Sequence, residues 1–388
     1  MIAVAVTVGD MAGAPYGLEE PPQRLTFHAN GRYWDFFGDG NNIKFVSSVD
    51  CIVWTGETAV PAAFIFTSRG YQFSVWADDT YVYIAYIDNT TAGWGPLRYR
   101  RGLLNADGTI TWDSEETVDS DANCMRPAIC KASDGSIHIS FQLRTDMNLY
   151  WRKKNGFWSP RTLIRNEDNY VATSLVPLST GGKVYLVYCK YLENRLWGYL
   201  YDAGWGPRET VSADTLTSYA YFSVTVDVND YVHVGYIVGA VGSITLKHVK
   251  RIAVWQAPVN VHDGGLAFCV LHLCADPAGS DVWGFWWLAG TFYYKRYDGV
   301  TWDVAPTAWF AEANVRVIFN CFWWVTNAAI GVTWVRGVAA PYDVRYACLT
   351  LAVPPKPGSS AVITSMKAME LIDAAQPRNI IGLNVTVR

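Results

Sequence analysis

The chain has 388 residues, of which 51% are hydrophobic, 15% aromatic and only 17% charged, against a usual charged share of about 25%, so a disordered chain is excluded. Lys plus Arg number 31 and Asp plus Glu 35, a formal charge of −4 with no block of like charge, which excludes the basic footprint of a nucleic-acid binder. No stretch approaches the roughly 18 apolar residues of a membrane span, and housing 18 Trp, 23 Tyr and 16 Phe calls for many small cores, as in a β-rich repeat protein.

The opening MIAVAVTVGD has no basic region before its apolar run and breaks at Gly9 and Asp10, so no signal peptide is read there. Its alternation of Val4, Val6 and Val8 predicts a strand over Ala3 to Val8. From residue 33 onward one strand recurs: YWDFF ending at Phe37, VYIAY at Tyr86, IHISF at Phe141, VYLVY at Tyr188, VHVGY at Tyr236, VWGFW at Trp286 and IGVTW at Trp334. The terminal aromatics are spaced by 49, 55, 47, 48, 50 and 48 residues. Positions two and four earlier are mostly apolar, a period-two pattern with one buried face. A Trp follows each of the first six copies, at Trp54, Trp112, Trp158, Trp205, Trp255 and Trp302. Further aromatic strands lie between the two markers (LRYR, LYWR, LWGYL, FYYKRY) and before the first (QFSVW, PAICK, FSVTVD, FCVLHL).

Four short strands per unit, seven times, predicts an all-β fold, a seven-bladed β-propeller of four-stranded antiparallel blades. The expected organisation is an N-terminal segment over 1–22 supplying the closing outer strand, the propeller over 23–351, and a tail over 352–388. The seventh copy lacks its Trp and runs into Pro354-Pro355-Lys356-Pro357, which cannot continue a central strand. Ala3 to Val8 is therefore the expected fourth strand of that blade, with Leu383 to Val387 as the competing donor. In the tail, Thr364 caps a predicted short helix over Ser365 to Ala375, followed by a strand.

Eight cysteines show neither CxxC nor a Cys/His cluster of zinc spacing, so no metal and no cofactor is expected, and their apolar settings predict buried free thiols.

SVDCIVWTGETAV (48–60), NADGTITWDSEETV (105–118) and YDGVTWDV (297–304) resemble degenerate Asp-boxes, the S-x-D-x-G-x-x-W turn of sialidase-like (BNR repeat) propellers. Ser48, Asp50 and Trp54 keep the spacing, with Ile52 in place of the glycine, and Asp107 and Gly108 are one residue out of step. The resemblance spans about residues 23 to 351. It implies the fold more than the function, because this architecture hosts hydrolases, lyases, lectins and scaffolds.

Candidate chemistry lies where the chain enters each innermost strand, around one mouth of the channel. Those entries carry Arg24, Arg69, Arg126 and Arg316, and also Asn169, Tyr170, Tyr219, His262 and Asp263. Arginine's planar fork holds carboxylate or sulfate in two-point contact, so these four are candidate ligands for an anionic sugar. The resemblance implies that an active sialidase-like site would draw three arginines from Arg24, Arg126 and Arg316. Its nucleophile would be Tyr170 or Tyr219, activated by Glu167 or Glu312, and its general acid Asp121 or Asp168. His138 and His233 share one repeat position and read as structural. Trp94, outside the Trp series, is the candidate platform for a pyranose face.

Three functions are weighed. The first is a non-catalytic binding or structural propeller at a cell surface or in a virion (adhesin, fibre, spike or decoration protein), binding glycans or assembling with itself or other structural proteins through its termini. The second is a sialidase-like glycoside hydrolase or polysaccharide lyase acting on anionic glycans. The third is an intracellular interaction scaffold. The first is preferred, with neither nucleic acid nor membrane insertion expected.

Overall fold

Every copy of the recurring strand lies inside an antiparallel sheet, and its terminal aromatic, from Phe37 through Trp334, is fully buried. Each such ring removed from water contributes about 1.5–3 kcal/mol, which is why the repeat is written in aromatics. The computed structural model describes residues 5–11, 18, 22–61, 73–88, 94–218, 220–240, 242–266 and 269–351. Among them there are strands and turns and no helix, so none long and apolar enough to cross a membrane.

Five sheets are four-stranded blades. In chain order the first is Thr26–Ala29, Arg32–Gly38, Ile43–Ser48 and Thr58–Ala59; the second is Val171–Pro177, Val184–Lys190, Leu196–Tyr201 and Glu209–Thr210. The third is Phe222–Val226, Val232–Val238, Ile244–Arg251 and Val259–Leu266, and the fourth His272–Ala275, Val282–Leu288, Thr291–Tyr297 and Thr307–Ala311. The fifth joins Val315–Cys321, Ala329–Arg336 and Tyr342–Thr350 to Val6–Met11, which pairs antiparallel as its outermost strand.

The expected count of seven separate blades is corrected. Between the first and second blades lies one nine-stranded sheet, reaching from Phe73–Ala77 to Phe157–Trp158. The physical reason is a single 16-residue strand, Glu116–Lys131. It pairs with Gly95–Leu104 from Glu116 to Cys124 and with Ile137–Leu143 from Cys124 to Lys131. Hydrogen bonding therefore runs unbroken where a gap between blades was expected. The predicted tail helix is likewise unsupported: no helix occurs among the described residues, and 365–375 lie outside them, as do Leu383 to Val387.

The cores are wedges between neighbouring sheets: one joins the nine-stranded sheet to the second and third blades, another the fifth blade to the first. The Asp-box-like segments are hairpin turns between third and fourth strands. Asp50 Oδ1 accepts from the Ile52 and Val53 amides at 2.8 and 2.9 Å, and Asp298 Oδ1 does the same for Val300 and Thr301 at 2.9 and 2.7 Å. Six of the eight cysteines are free and buried, but Cys51, in the first of these turns, is disulfide-bonded to Cys348 of the fifth blade.

Residues 22–25 lie where the innermost strands converge. Pro22 O accepts from Ser174 Oγ (3.0 Å), Gln23 donates to Pro127 O (2.8 Å) and accepts from Asn320 (2.6 Å). The Arg24 guanidinium donates to Val224 O (3.0 Å), Leu273 O (2.6 Å) and Cys321 O (3.2 Å). This short segment thus ties the nine-stranded sheet and the second to fifth blades together.

Candidate functional site

Antiparallel topology gives the propeller two unlike ends. Connections entering each innermost strand lie at one, the entry end; turns from innermost to second strands lie at the other, the turn end.

The sequence-predicted residues belong to the entry end, and most are committed to structural contacts. Arg24 is 1% exposed and, among the described residues, donates only to the backbone carbonyls above and to Cys321 Sγ. Arg126 is buried at a left-handed position (φ 55°), donating to Val171 O at 3.4 Å with its guanidinium 5.4 Å from the Tyr170 ring. Arg316 donates to Val338 O at 3.1 Å and stacks on Tyr342. The Arg144 guanidinium covers the Trp94 ring at 3.4 Å. Arg69 and Tyr219 lie outside the described residues.

The structure brings Glu167 and Asp168 together on the Lys190 ammonium. Glu167 does not meet Tyr170's hydroxyl in any hydrogen bond; it accepts from Tyr188 at 2.9 Å. Tyr188 is fully buried, and burial together with the Glu167 charge pushes its hydroxyl well above the usual tyrosine range. That makes it a poor nucleophile. Glu312 is held apart by Arg336 (3.3 Å) and Arg345 (3.4 Å), and Asp121 by Arg161 (3.4 Å) and the Asn123 amide (3.0 Å).

An open cavity lies instead at the turn end, a funnel of about 680 Å³ on the channel axis. Trp76, at the end of its innermost strand, and Trp324 meet there with centroids 5.2 Å apart and planes at 89°. Trp324 reaches the axis because the chain after Cys321 crosses two neighbouring blades. Ala275 N donates to Trp323 O (3.1 Å), Val325 N to Ala275 O (2.8 Å), and Trp324 Nε1 to Val226 O (2.9 Å). A smaller cavity of about 50 Å³, lined by Arg24, Trp76, Trp323 and Trp324, adjoins the funnel.

The turn carboxylates of Asp78, Asp79 and Asp230 rim the funnel with Lys131 and His28, and the buried carboxyl of Asp227 lies beneath them. Asp78 accepts from the Thr80 and Tyr81 amides, the Tyr83 hydroxyl and Lys131. Burial pushes its carboxyl up, but Lys131 and the two amides outweigh burial and hold it below the usual range. Asp230 accepts from Ser179 N (2.6 Å) and Oγ (2.7 Å). Asp79 is exposed and makes no hydrogen bond or ion pair among the described residues.

Asp227 ends a directed chain. Trp302 Nε1 can only donate, so at 3.2 Å it leaves His248 Nδ1 bare and puts that ring's proton on Nε2. His248 then donates to His233 Nδ1 (2.9 Å), and His233 Nε2 donates to Asp227 Oδ2 (3.3 Å). Burial drives both imidazoles below their usual range. The Asp227 carboxyl, pushed up by burial, is brought below its usual range mainly by His233.

Sequence reading missed this end because its residues sit at strand ends and in turns. The available signals were the doubled Trp of CFWWVTN and the aspartates recurring after innermost strands.

No protein-family model and no curated protein sequence matches the chain. Among solved structures it is similar to an ulvan lyase of polysaccharide lyase family PL25 bound to a GlcA(1-4)Rha3S fragment: TM-score 0.58, 11% identity, covering 88% of this chain and 95% of that one. It is also similar to AofleA from Arthrobotrys oligospora, with TM-score 0.53, 11% identity and coverage of 80% and 91%. A Trypanosoma rangeli sialidase is matched at TM-score 0.49 and 11% identity, over 89% of this chain and 58% of that one. At such identities the first two likenesses bear on the fold alone, which is that of an all-β propeller.

Proposed function

We propose that this chain is a glycan-binding propeller without catalytic activity of its own. The observation that carries the reading is the turn-end funnel, where the half-buried Trp324 indole, propped edge to face on the buried Trp76, adjoins carboxylates fixed by their own donors. Indole faces stack on pyranose rings, and fixed carboxylates accept sugar hydroxyls at little ordering cost. The ulvan lyase, whose structure holds a glycan fragment, supports a glycan ligand for this fold. Against catalysis stand the burial of Arg24 and Tyr188 and the engagement of Glu312 with arginines.

The test is calorimetric titration of the purified chain with a glycan panel, beside turnover of fluorogenic sialosides and uronides. Binding that disappears in Trp324→Ala, with no turnover, is expected. Turnover abolished by Arg126→Ala would overturn the reading and return the chemistry to the entry end.

A second role, assembly, is favoured by apolar side chains exposed on hairpin tips of separate sheets: Val53 (69%), Phe157 (90%) and Val304 (100%). Such tips suit contact with other copies or with structural proteins of a surface or particle.

A further inference from the structure

We infer that the sugar taken by the funnel carries a protonated amino group. This rests on the glycan reading above and narrows its ligand class. The size of the cavity and its aromatic corner define the site; its charges decide what enters. Three accessible carboxylates, those of Asp78, Asp79 and Asp230, face one ammonium across the lining, and that ammonium, on Lys131, is already spent on Asp78 at 2.7 Å. Asp79 has no such partner among the described residues. The Asp227 carboxyl lies buried beneath the rim, where His233 and the Asn229 and Tyr231 amides fix it, so it adds negative charge behind the lining and makes no contact with a ligand. A uronate, sulfate or sialate entering this rim meets like charge, whereas an ammonium meets carboxylates and the half-buried Trp324 indole.

Arg24 is a second positive charge near the axis. It lines the smaller inner cavity, outside the funnel proper, and its guanidinium is hydrogen-bonded to the carbonyls of Val224, Leu273 and Cys321. The favourable place for the cation is therefore the rim, with the uncharged body of the sugar toward the Trp324 indole. This is opposite in charge preference to the anion-holding arginine mouth expected at the entry end.

The test compares three oligosaccharides of equal length with the full chain: a glucosamine oligomer, its N-acetylated form and a uronate oligomer. The expected result is that the amine form binds about tenfold tighter than the acetylated form, that the uronate binds weakest, and that the preference shrinks as salt screens the rim. Asp79→Asn, an exposed substitution that the fold tolerates, should reduce the amine preference severalfold while leaving the affinity for the acetylated form unchanged. Equal binding of amine and acetylated forms, or tighter binding of the uronate, would overturn the inference and leave the glycan reading standing. A lysine-bearing peptide binding more tightly than any amino sugar would also overturn it. Failure of every sugar to bind would sink the glycan reading itself, and the inference with it.

Discussion

His233 and His248 stack with ring planes at 7° and share a hydrogen bond of 2.9 Å. Both rings are buried and neutral, and they sit between the Trp302 indole and the Asp227 carboxylate. A related chain occurs at His138, the same repeat position, where Trp151 Nε1 donates to Nδ1 at 3.1 Å and Nε2 meets Ser136 Oγ at 3.1 Å.

These histidines make the propeller acid-sensitive in a definite window. Burial lowers His138 to about 3 and moves His28, His233, His248, His262 and His272 in the same direction. Above the unfolded value of about 6.5 both states are neutral and nothing changes. Below it the unfolded chain takes up protons that the folded chain refuses, so stability falls as pH drops from about 6.5 toward 3. His138 alone accounts for a loss on the order of 3 kcal/mol by pH 4. Tm measured from pH 7 to pH 4 should fall less steeply in His138→Gln than in the parent. Parallel slopes would reject this assignment. Aspartates held low, such as Asp134 near 2, cost stability only as the pH nears about 4, at the acid end of this window.

Removal of Arg24 should unfasten the axis. Its planar fork serves acceptors on three blades at once, and it has no carboxylate partner among the described residues. Arg24→Met removes the guanidinium donors from three buried carbonyls, of which Leu273 O keeps only the Cys321 thiol at 3.5 Å, a loss of about 3–5 kcal/mol. Arg24→Lys should recover little, because one ammonium cannot span the same acceptors. Urea unfolding midpoints of the two variants check this; near-parental stability in Arg24→Lys would show that charge alone suffices.

The strands were readable because their cause is local: a buried face every second residue ends in Tyr86, Tyr188, Tyr236 or Trp334, all fully buried. The second marker was readable for the same reason, since Trp54, Trp205, Trp255 and Trp302 each bridge back to the end of a third strand. Separation into blades was not, because it depends on whether the backbone of Glu116–Lys131 keeps pairing on both sides. Spacing located the arginines along the chain, but a shift of one residue in a strand turns a side chain to the other face. Arg24 consequently points into the axis where an open mouth was expected. The funnel was hidden more deeply, being assembled from Trp76, Asp227 and Trp324, which are far apart in sequence and joined only by ring closure.

Cys51 and Cys348 are 297 residues apart and staple the first blade to the fifth. The bridge restricts the unfolded chain, and loops of this size lie at the upper end of the usual gain of about 2–4 kcal/mol. Dithiothreitol should therefore lower the Tm of the parent and leave a Cys51→Ser/Cys348→Ser double variant unmoved at the lower value. A parent insensitive to reductant, with free thiol content unchanged, would refute the role of the bridge.

Asp35 carries the opposite pH signature. It is fully buried, one oxygen accepts from Thr333 Oγ1 at 2.9 Å, and the other has no partner. Burial pushes its carboxyl well above the usual range, against the smaller pull of Thr333. Below the unfolded pKa both states hold the proton and the site is neutral to stability. As pH rises past it, the unfolded chain ionises while the folded chain retains the proton, so the site costs progressively more until the folded value is reached. Asp35→Asn keeps the shape and removes the titration. It should be close to neutral at pH 4 and stabilising at pH 7, by on the order of 1–3 kcal/mol. Urea unfolding of the variant at the two pH values decides the matter: a gain independent of pH would mean that Asp35 is ionised in the fold, with a counter-charge that the Thr333 contact does not supply.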